Sequence, residues 1–239
     1  MTPEGLLVSL VAVTLGAAIQ GSIGFGFALI AVPTLTFIRA DALPATLLLL
    51  AVPMTIAMAL RERSAIDVSG FLHATAGRVF GVAGGVGLLV VVPSDSLAIL
   101  VGAIILAAVA MSVVAPDVDP TRATTLAAGF ASGIMGTAAA IGGPPMALAY
   151  QGRPGSELRS TLAASFVVGG LMSIAGLFLA GKVRGWHSML ALQLLPGVVV
   201  GLGLSRYVLG SLDRRWLRPT VLTFAAVAGA AAIVRGFVG

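Results

Sequence analysis

Eight long apolar runs fix what this chain can become, because nearly all of its charge is held in the short stretches between them: 5–38, 42–60, 69–92, 97–115, 122–150, 158–180, 187–210 and 217–238. A helix needs about 20 apolar residues to cross a hydrocarbon core, and the runs leave almost nothing over for an aqueous domain. Only 10% of the 239 residues are charged and 58% are hydrophobic, whereas a soluble domain carries about 25% charged residues. The expected fold is therefore an all-α polytopic membrane protein. The net charge is +5, from thirteen arginines and one lysine scattered singly against nine acidic residues. That scatter excludes a nucleic-acid face, which needs clustered basic residues. The absence of cysteine excludes disulfides, thiolate metal sites and iron–sulfur clusters, and the sequence calls for no metal and no cofactor.

Two runs are too long for one crossing. As a single helix, 5–38 would measure about 51 Å against a hydrocarbon layer of about 30 Å. Its expected break is Gln20-Gly21-Ser22-Ile23-Gly24-Phe25-Gly26, where glycine weakens the helix and polar side chains enter the apolar run. Run 122–150 is expected to break at Gly136-Thr137 and again at Gly142-Gly143-Pro144-Pro145. The breaks read as copies: Gly21 and Gly133, Gly24 and Gly136, Ala28 and Ala140, and Pro33 and Pro145 are each 112 positions apart. Gly81 with Gly197 and Gly85 with Gly201 follow at 116, and Asp95 with Asp213 at 118. Two homologous four-segment halves are expected, 1–115 and 116–239, joined by Pro116-Asp117-Val118-Asp119-Pro120, each opening with a broken or re-entrant helix.

Charge placement selects a topology. If all eight runs cross, basic residues split six to seven between the two sides. If the first run of each half instead enters and leaves on one side, Arg61, Arg63, Arg122, Arg153, Arg159, Arg206, Arg214, Arg215 and Arg218 share a side, and Arg39, Lys182, Arg184 and Arg235 the other. The second arrangement obeys the positive-inside rule. It leaves three crossings per half, so the halves are expected to be inverted repeats with both termini outside the cytoplasm. Met1-Thr2-Pro3-Glu4 lacks the positive lead of a signal peptide.

A helix broken inside a membrane exposes amides at one end, tolerable only where they face protein or a polar cavity. Paired breaks in corresponding places of two halves point to a transporter site, and helix amino-terminal ends favour anions. The candidate substrate-binding residues are Gln20, Gly21, Ser22, Gly24 and Gly26 with Gly136, Thr137, Gly142, Gly143, Pro144 and Pro145. Against this stands the bland reading that each glycine only lets a neighbouring helix approach. Arg78 joins the candidates because an ionisable group deep in an apolar run is costly; snorkelling to an interface is the competing reading. His73 is either a proton relay or an interfacial residue, and His187 beside Trp186 reads as an aromatic belt. Gln193 reads as an interhelical hydrogen bond. No carboxylate lies inside a run to hold Na+.

The string Gly21-Ser22-Ile23-Gly24-Phe25-Gly26 with Pro33, the second Gly133-Ile134-Met135-Gly136 with Gly142-Gly143-Pro144-Pro145, and the stretch from Arg78 to Gly85 resemble the TauE/SafE family over essentially the whole chain. The resemblance implies a multi-pass permease of the bacterial inner membrane, arisen by duplication, moving sulfite, a sulfonate or a related small organic anion, with the glycine motifs lining the path. A channel with a glycine-rich filter would predict a fourfold assembly and no second copy of the motif. An intramembrane hydrolase would need a dyad such as Ser22 with His73, which no surrounding motif supports. The expected function is secondary anion transport by alternating access, not enzymatic catalysis. Its partners are the substrate anion and the bilayer; proton coupling and homo-oligomerisation are both compatible with the sequence.

Overall fold

The computed structural model describes residues 1–93, 96–114, 118–211 and 214–238; the Asp95–Asp213 match and positions 116 and 117 of the joint lie outside them. Among the described residues the fold is all helical: α1 Pro3–Ile23, α2 Phe27–Arg39, α3 Ala45–Arg61, α4 Val68–Val91, α5 Leu97–Val114, α6 Arg122–Ala139, α7 Gly143–Tyr150, α8 Gly155–Leu179, α9 Gly185–Ser211 and α10 Arg214–Val238. Five of these, over Pro3–Ile23, Val68–Val91, Gly155–Leu179, Gly185–Arg206 and Pro219–Phe237, are long and apolar enough to cross a membrane, and Ala45–Arg61 and Leu97–Val113 are shorter apolar helices. Side-chain caps start several of them: Thr2, Asp67 and Thr121 accept from the amides of Gly5, Gly70 and Thr124 at 3.1–3.2 Å.

The first long run breaks where glycine allows it. Gly24 ends α1 at φ 103° and Gly26 precedes α2 at φ 120°, left-handed conformations that cost glycine nothing. The chain then folds back. A Cβ on Gly16 would lie 2.8 Å from the Phe27 carbonyl oxygen, and one on Gly5 would lie 3.0 Å from Ile38. Equal steps in opposite directions make α1 and α2 an antiparallel hairpin.

The second run departs from the expected double break. Gly136 and Thr137 lie inside α6, which continues to Ala139 and ends at Ala140, φ 60°, whose amide donates to the Gly136 carbonyl at 2.8 Å. Pro144 and Pro145 do not interrupt a helix; they open α7 in its first turn, where their missing amides would have no intrahelical partner anyway. The hairpin closes at Tyr150, whose hydroxyl donates to Asp67 at 2.8 Å, at the start of α4.

Glycines set the main contacts. Gly77, Gly81 and Gly85 of α4 face the carbonyls of Leu126, Phe130 and Ile134, a common step of four residues that makes α4 and α6 parallel. Gly197 and Gly201 of α9 likewise face the carbonyls of Leu10 and Thr14 on α1. A Cβ on Gly77 or Gly129 would overlap the opposing backbone, so these helices pack backbone to backbone, as small residues permit in membranes. Further packed pairs include α5 with α10, α3 with α8, α4 with α8, α3 with α9, α2 with α10, α6 with α8, α5 with α7 and α2 with α5. Helix ends collect at two faces. One holds Asp41, whose carbonyl lies 3.2 Å from His187 Nε2, and Trp186, under the Arg39 guanidinium at 4.1 Å. The other holds Glu62, paired with Arg159 at 2.7 Å. His187 is thus more than the belt residue the sequence suggests: it is buried and joins the start of α9 to the turn after α2.

Candidate functional site

The two hairpin tips meet: a Cβ on Gly143 would lie 3.0 Å from the Phe25 Cβ. Beside them α1, α2, α3, α4, α6, α7 and α8 line a partly open cavity of about 60 Å³. One water needs about 10–15 Å³ on this scale, so the space suits a few waters or one small oxyanion.

Of the residues expected from the sequence, Gln20, Gly26, Arg78, Gly136, Gly142, Gly143 and Pro144 line this cavity. The rest lie off its wall. Gly21 packs on Ser205 of α9, and its carbonyl accepts from Arg61 at 2.7 Å. Ser22 donates to Ala18 at 2.8 Å and Ser205 at 3.3 Å, a helix-to-helix tie. Gly24 sits against Leu158 and Arg159, and Pro145 is buried in α7. Thr137 is hydrogen-bonded at 2.7 Å to Ser173, which does reach the cavity.

Arg78 organises the site. Although it lies midway along α4, it is only 4% exposed, so it does not snorkel. Nη1 donates to the Ser165 carbonyl at 2.7 Å and Nη2 donates to the Ser132 hydroxyl. Ser132 Oγ donates in turn at 2.5 Å to the carbonyl of Gly142, the residue that precedes α7. The guanidinium is thereby tied through Ser132 to the second hairpin tip. Its carbon lies 5.2 Å from the Phe166 ring centre, and Gly169 is the only residue type that fits beneath it, since a Cβ there would collide with Nη1. Of the five guanidinium N–H groups, two are used by protein; the other three have no acceptor among the described residues. The ion pairs found among those residues, Arg39–Asp41, Arg61–Glu62, Arg153–Glu157 and Arg159–Glu62, all lie at helix ends and leave Arg78 without a carboxylate.

At the first tip Gln20 Oε1 accepts from the Phe27 amide at 3.1 Å, which fixes the orientation of the side-chain amide and leaves its NH2 group on the cavity wall. Both polar anchors of the second tip, Ser132 and Ser173, escaped the sequence reading. They sit singly in apolar, glycine-rich helices, and only the spacing of Ser132 one residue before Gly133 hints that it faces α4. Gly169 and Phe166 were likewise invisible, because their roles exist only once α8 lies against Arg78. His73 stands near the start of α4, in a polar cleft with Asp67, Arg122, Arg153 and Glu157; Gln193 is exposed.

On the Glu62 face three hydrogen bonds of 2.7–3.2 Å join Arg159 to Glu62, and the Asp67 amide donates to Thr161 at 3.0 Å. These ties link the connection between α3 and α4 to α8, beside the first hairpin tip, where Gly24 lies against Arg159.

Such an assembly of crossing helices around a buried, charge-unpaired arginine and two facing hairpins suits passage of an anion through lipid. Comparison with curated proteins and with solved structures finds no match. Residues 8–232, nearly the whole chain, match the family model described as sulfite exporter TauE/SafE, and the chain belongs to that family of membrane transporters.

Proposed function

We propose that the chain is a secondary transporter that moves a small oxyanion, sulfite or a compact sulfonate, across a bacterial inner membrane by alternating access. The observation that carries this reading is Arg78: buried in mid-helix with no counter-charge among the described residues, it lines the cavity where the hairpin tips meet. A charge in that position is retained at a cost in stability, and such residues mark ion pathways. In the proposed site Arg78, the Gln20 amide and the Gly143 amide face the anion, Ser132 holds the guanidinium in place, and Gly26, Gly136 and Gly142 keep the path clear.

Residues 1–115 and 116–239 are proposed as inverted repeats. Exchanging α1 to α5 for α6 to α10 turns α4 on α6 into α9 on α1, α4 on α8 into α9 on α3, and α2 on α10 into α7 on α5, so these pairs map onto one another, whereas α6 on α8 and α2 on α5 have no counterpart of similar extent. The positive-inside rule then makes the Glu62 face, which carries nine of the thirteen counted basic residues, cytoplasmic and puts both termini outside. Alternating access is rocking of one half against the other around the site. The Glu62–Arg159 pair and the Asp67–Tyr150 bond, each joining the two halves, act as its cytoplasmic latch. A proton gradient or the membrane potential supplies the driving force.

The test is flux of radiolabelled sulfite into proteoliposomes. Wild type transports, Arg78→Gln and Gly136→Leu do not, and Ser22→Ala behaves as wild type because its hydroxyl serves only the α1–α9 contact. A Cβ on Gly136 has ordinary room at 3.5 Å from Gly142, so the larger side chain is needed to block. Transport that survives Arg78→Gln refutes the assignment.

A further inference from the structure

The charge inventory of the cavity narrows which anions it can take. Among the residues that line it, Arg78 alone carries a full charge. Its protein acceptors, the Ser165 carbonyl and the Ser132 hydroxyl, are neutral, and no described carboxylate pairs with it. The hairpin tips add less positive potential than two bare helix starts would. At α2 the first amide is already taken by Gln20 Oε1, and at α7 positions 144 and 145 are prolines with no N–H to offer. The site therefore holds one full positive charge, removed from water, with several directed donors around it.

A bound ion of charge −1 brings that cavity close to neutrality. An ion of charge −2 leaves a net negative charge buried, and an uncompensated charge is what a water-poor interior penalises most. The space beside the guanidinium in this partly open cavity, about 60 Å³, admits one small oxyanion, and no lining side chain offers a site for a counter-cation that would neutralise a second charge. We propose that this cavity selects singly charged oxyanions over doubly charged ones of the same size, so that of the sulfite forms it takes hydrogensulfite, with Arg78 as the residue that determines the selectivity. The proposal rests on the reading of the cavity as the anion site, and it extends that reading from shape to charge.

The experiment is calorimetric titration of the purified full-length protein, in gluconate buffer at constant ionic strength, with methanesulfonate and perchlorate as monoanions and sulfate as the dianion. The expected result is that both monoanions bind about 100-fold or more tightly than sulfate. Arg78→Lys keeps this order at lower affinity, because the charge persists without the planar fork, and Arg78→Gln abolishes binding of all three. Sulfate binding as tight as methanesulfonate, with both lost in Arg78→Gln, overturns the charge selectivity and leaves the anion site standing. Absence of binding to wild type, or binding unchanged by Arg78→Gln, overturns the site and the selectivity together.

Discussion

Gly85 and Gly87 lie two residues apart on α4, and the structure assigns them opposite sensitivities. A Cβ on Gly85 would lie 2.7 Å from the Thr137 Cβ and 2.8 Å from the Ile134 carbonyl oxygen, whereas a Cβ on Gly87 meets nothing within 4 Å. Carbon atoms in contact prefer about 3.5–4.0 Å, so Gly85→Ala must push α4 and α6 apart by roughly 1 Å. Neither opposing atom can swing away, one being backbone and the other the fixed root of a β-branched side chain. Overpacking of this kind costs about 1–3 kcal/mol. Both substitutions gain the same helix preference of about 0.5–1 kcal/mol over glycine, so the difference between them isolates the packing cost. Gly85→Ala is expected to be less stable than Gly87→Ala by about 1–3 kcal/mol, or roughly 5- to 150-fold in the folding equilibrium. Reversible unfolding in mixed micelles measures it. Equal stability of the two variants would refute backbone-to-backbone packing of α4 on α6. Because Thr137 bonds to Ser173 on the cavity wall, Gly85→Ala should also weaken anion binding, and Gly87→Ala should not.

Other consequences are open to measurement. Ser132→Ala leaves one Arg78 donor without its acceptor, a loss of about 1.5–3 kcal/mol in folding stability; unchanged stability in reversible unfolding would take Ser132 out of the support of the guanidinium. The Glu62–Arg159 pair is partly exposed, at 22% and 16% of the side chains, and is worth about 1 kcal/mol. Glu62→Gln or Arg159→Gln should therefore make a cysteine at position 20 react several-fold faster with a cytoplasmic thiol reagent, and the paired exchange Glu62→Arg with Arg159→Glu should restore the slow rate; no change in either single variant would remove the latch. Reporter fusions should place Arg153 in the cytoplasm and Lys182 and both termini outside it; Arg153 and Lys182 on one side would refute the topology.

The all-helical architecture and the first break were legible because they follow from local chemistry. An apolar run too long for its membrane must fold back, and Gly24 and Gly26 are the residues that tolerate the required φ. The second break was only half legible. Gly136 looked like a breaker, but a glycine packed in α6 keeps its helical hydrogen bonds, and the turn came instead at Ala140, a residue with no preference for left-handed backbone. Pro144 and Pro145 misled for a related reason: proline breaks a helix interior yet suits a first turn, and sequence alone does not say which position it holds. Arg78 stood out by its depth in an apolar run. Its supports, Ser132, the Ser165 carbonyl, Phe166 and Gly169, come from α6 and α8 and become neighbours only through tertiary packing. Gly21, Ser22 and Thr137 share the polarity and spacing of the cavity residues but face α9 and α8, a distinction of helix rotation that composition does not encode.

The most direct measurement is the position of a bound heavy oxyanion. In a map of the protein with perrhenate, a singly charged tetrahedral ion, the account predicts one density peak within hydrogen-bonding distance of the Arg78 guanidinium, between Gln20 and Gly143. Perrhenate found only at the arginines of the two faces, with the cavity beside Arg78 filled by lipid or side chains, would contradict it.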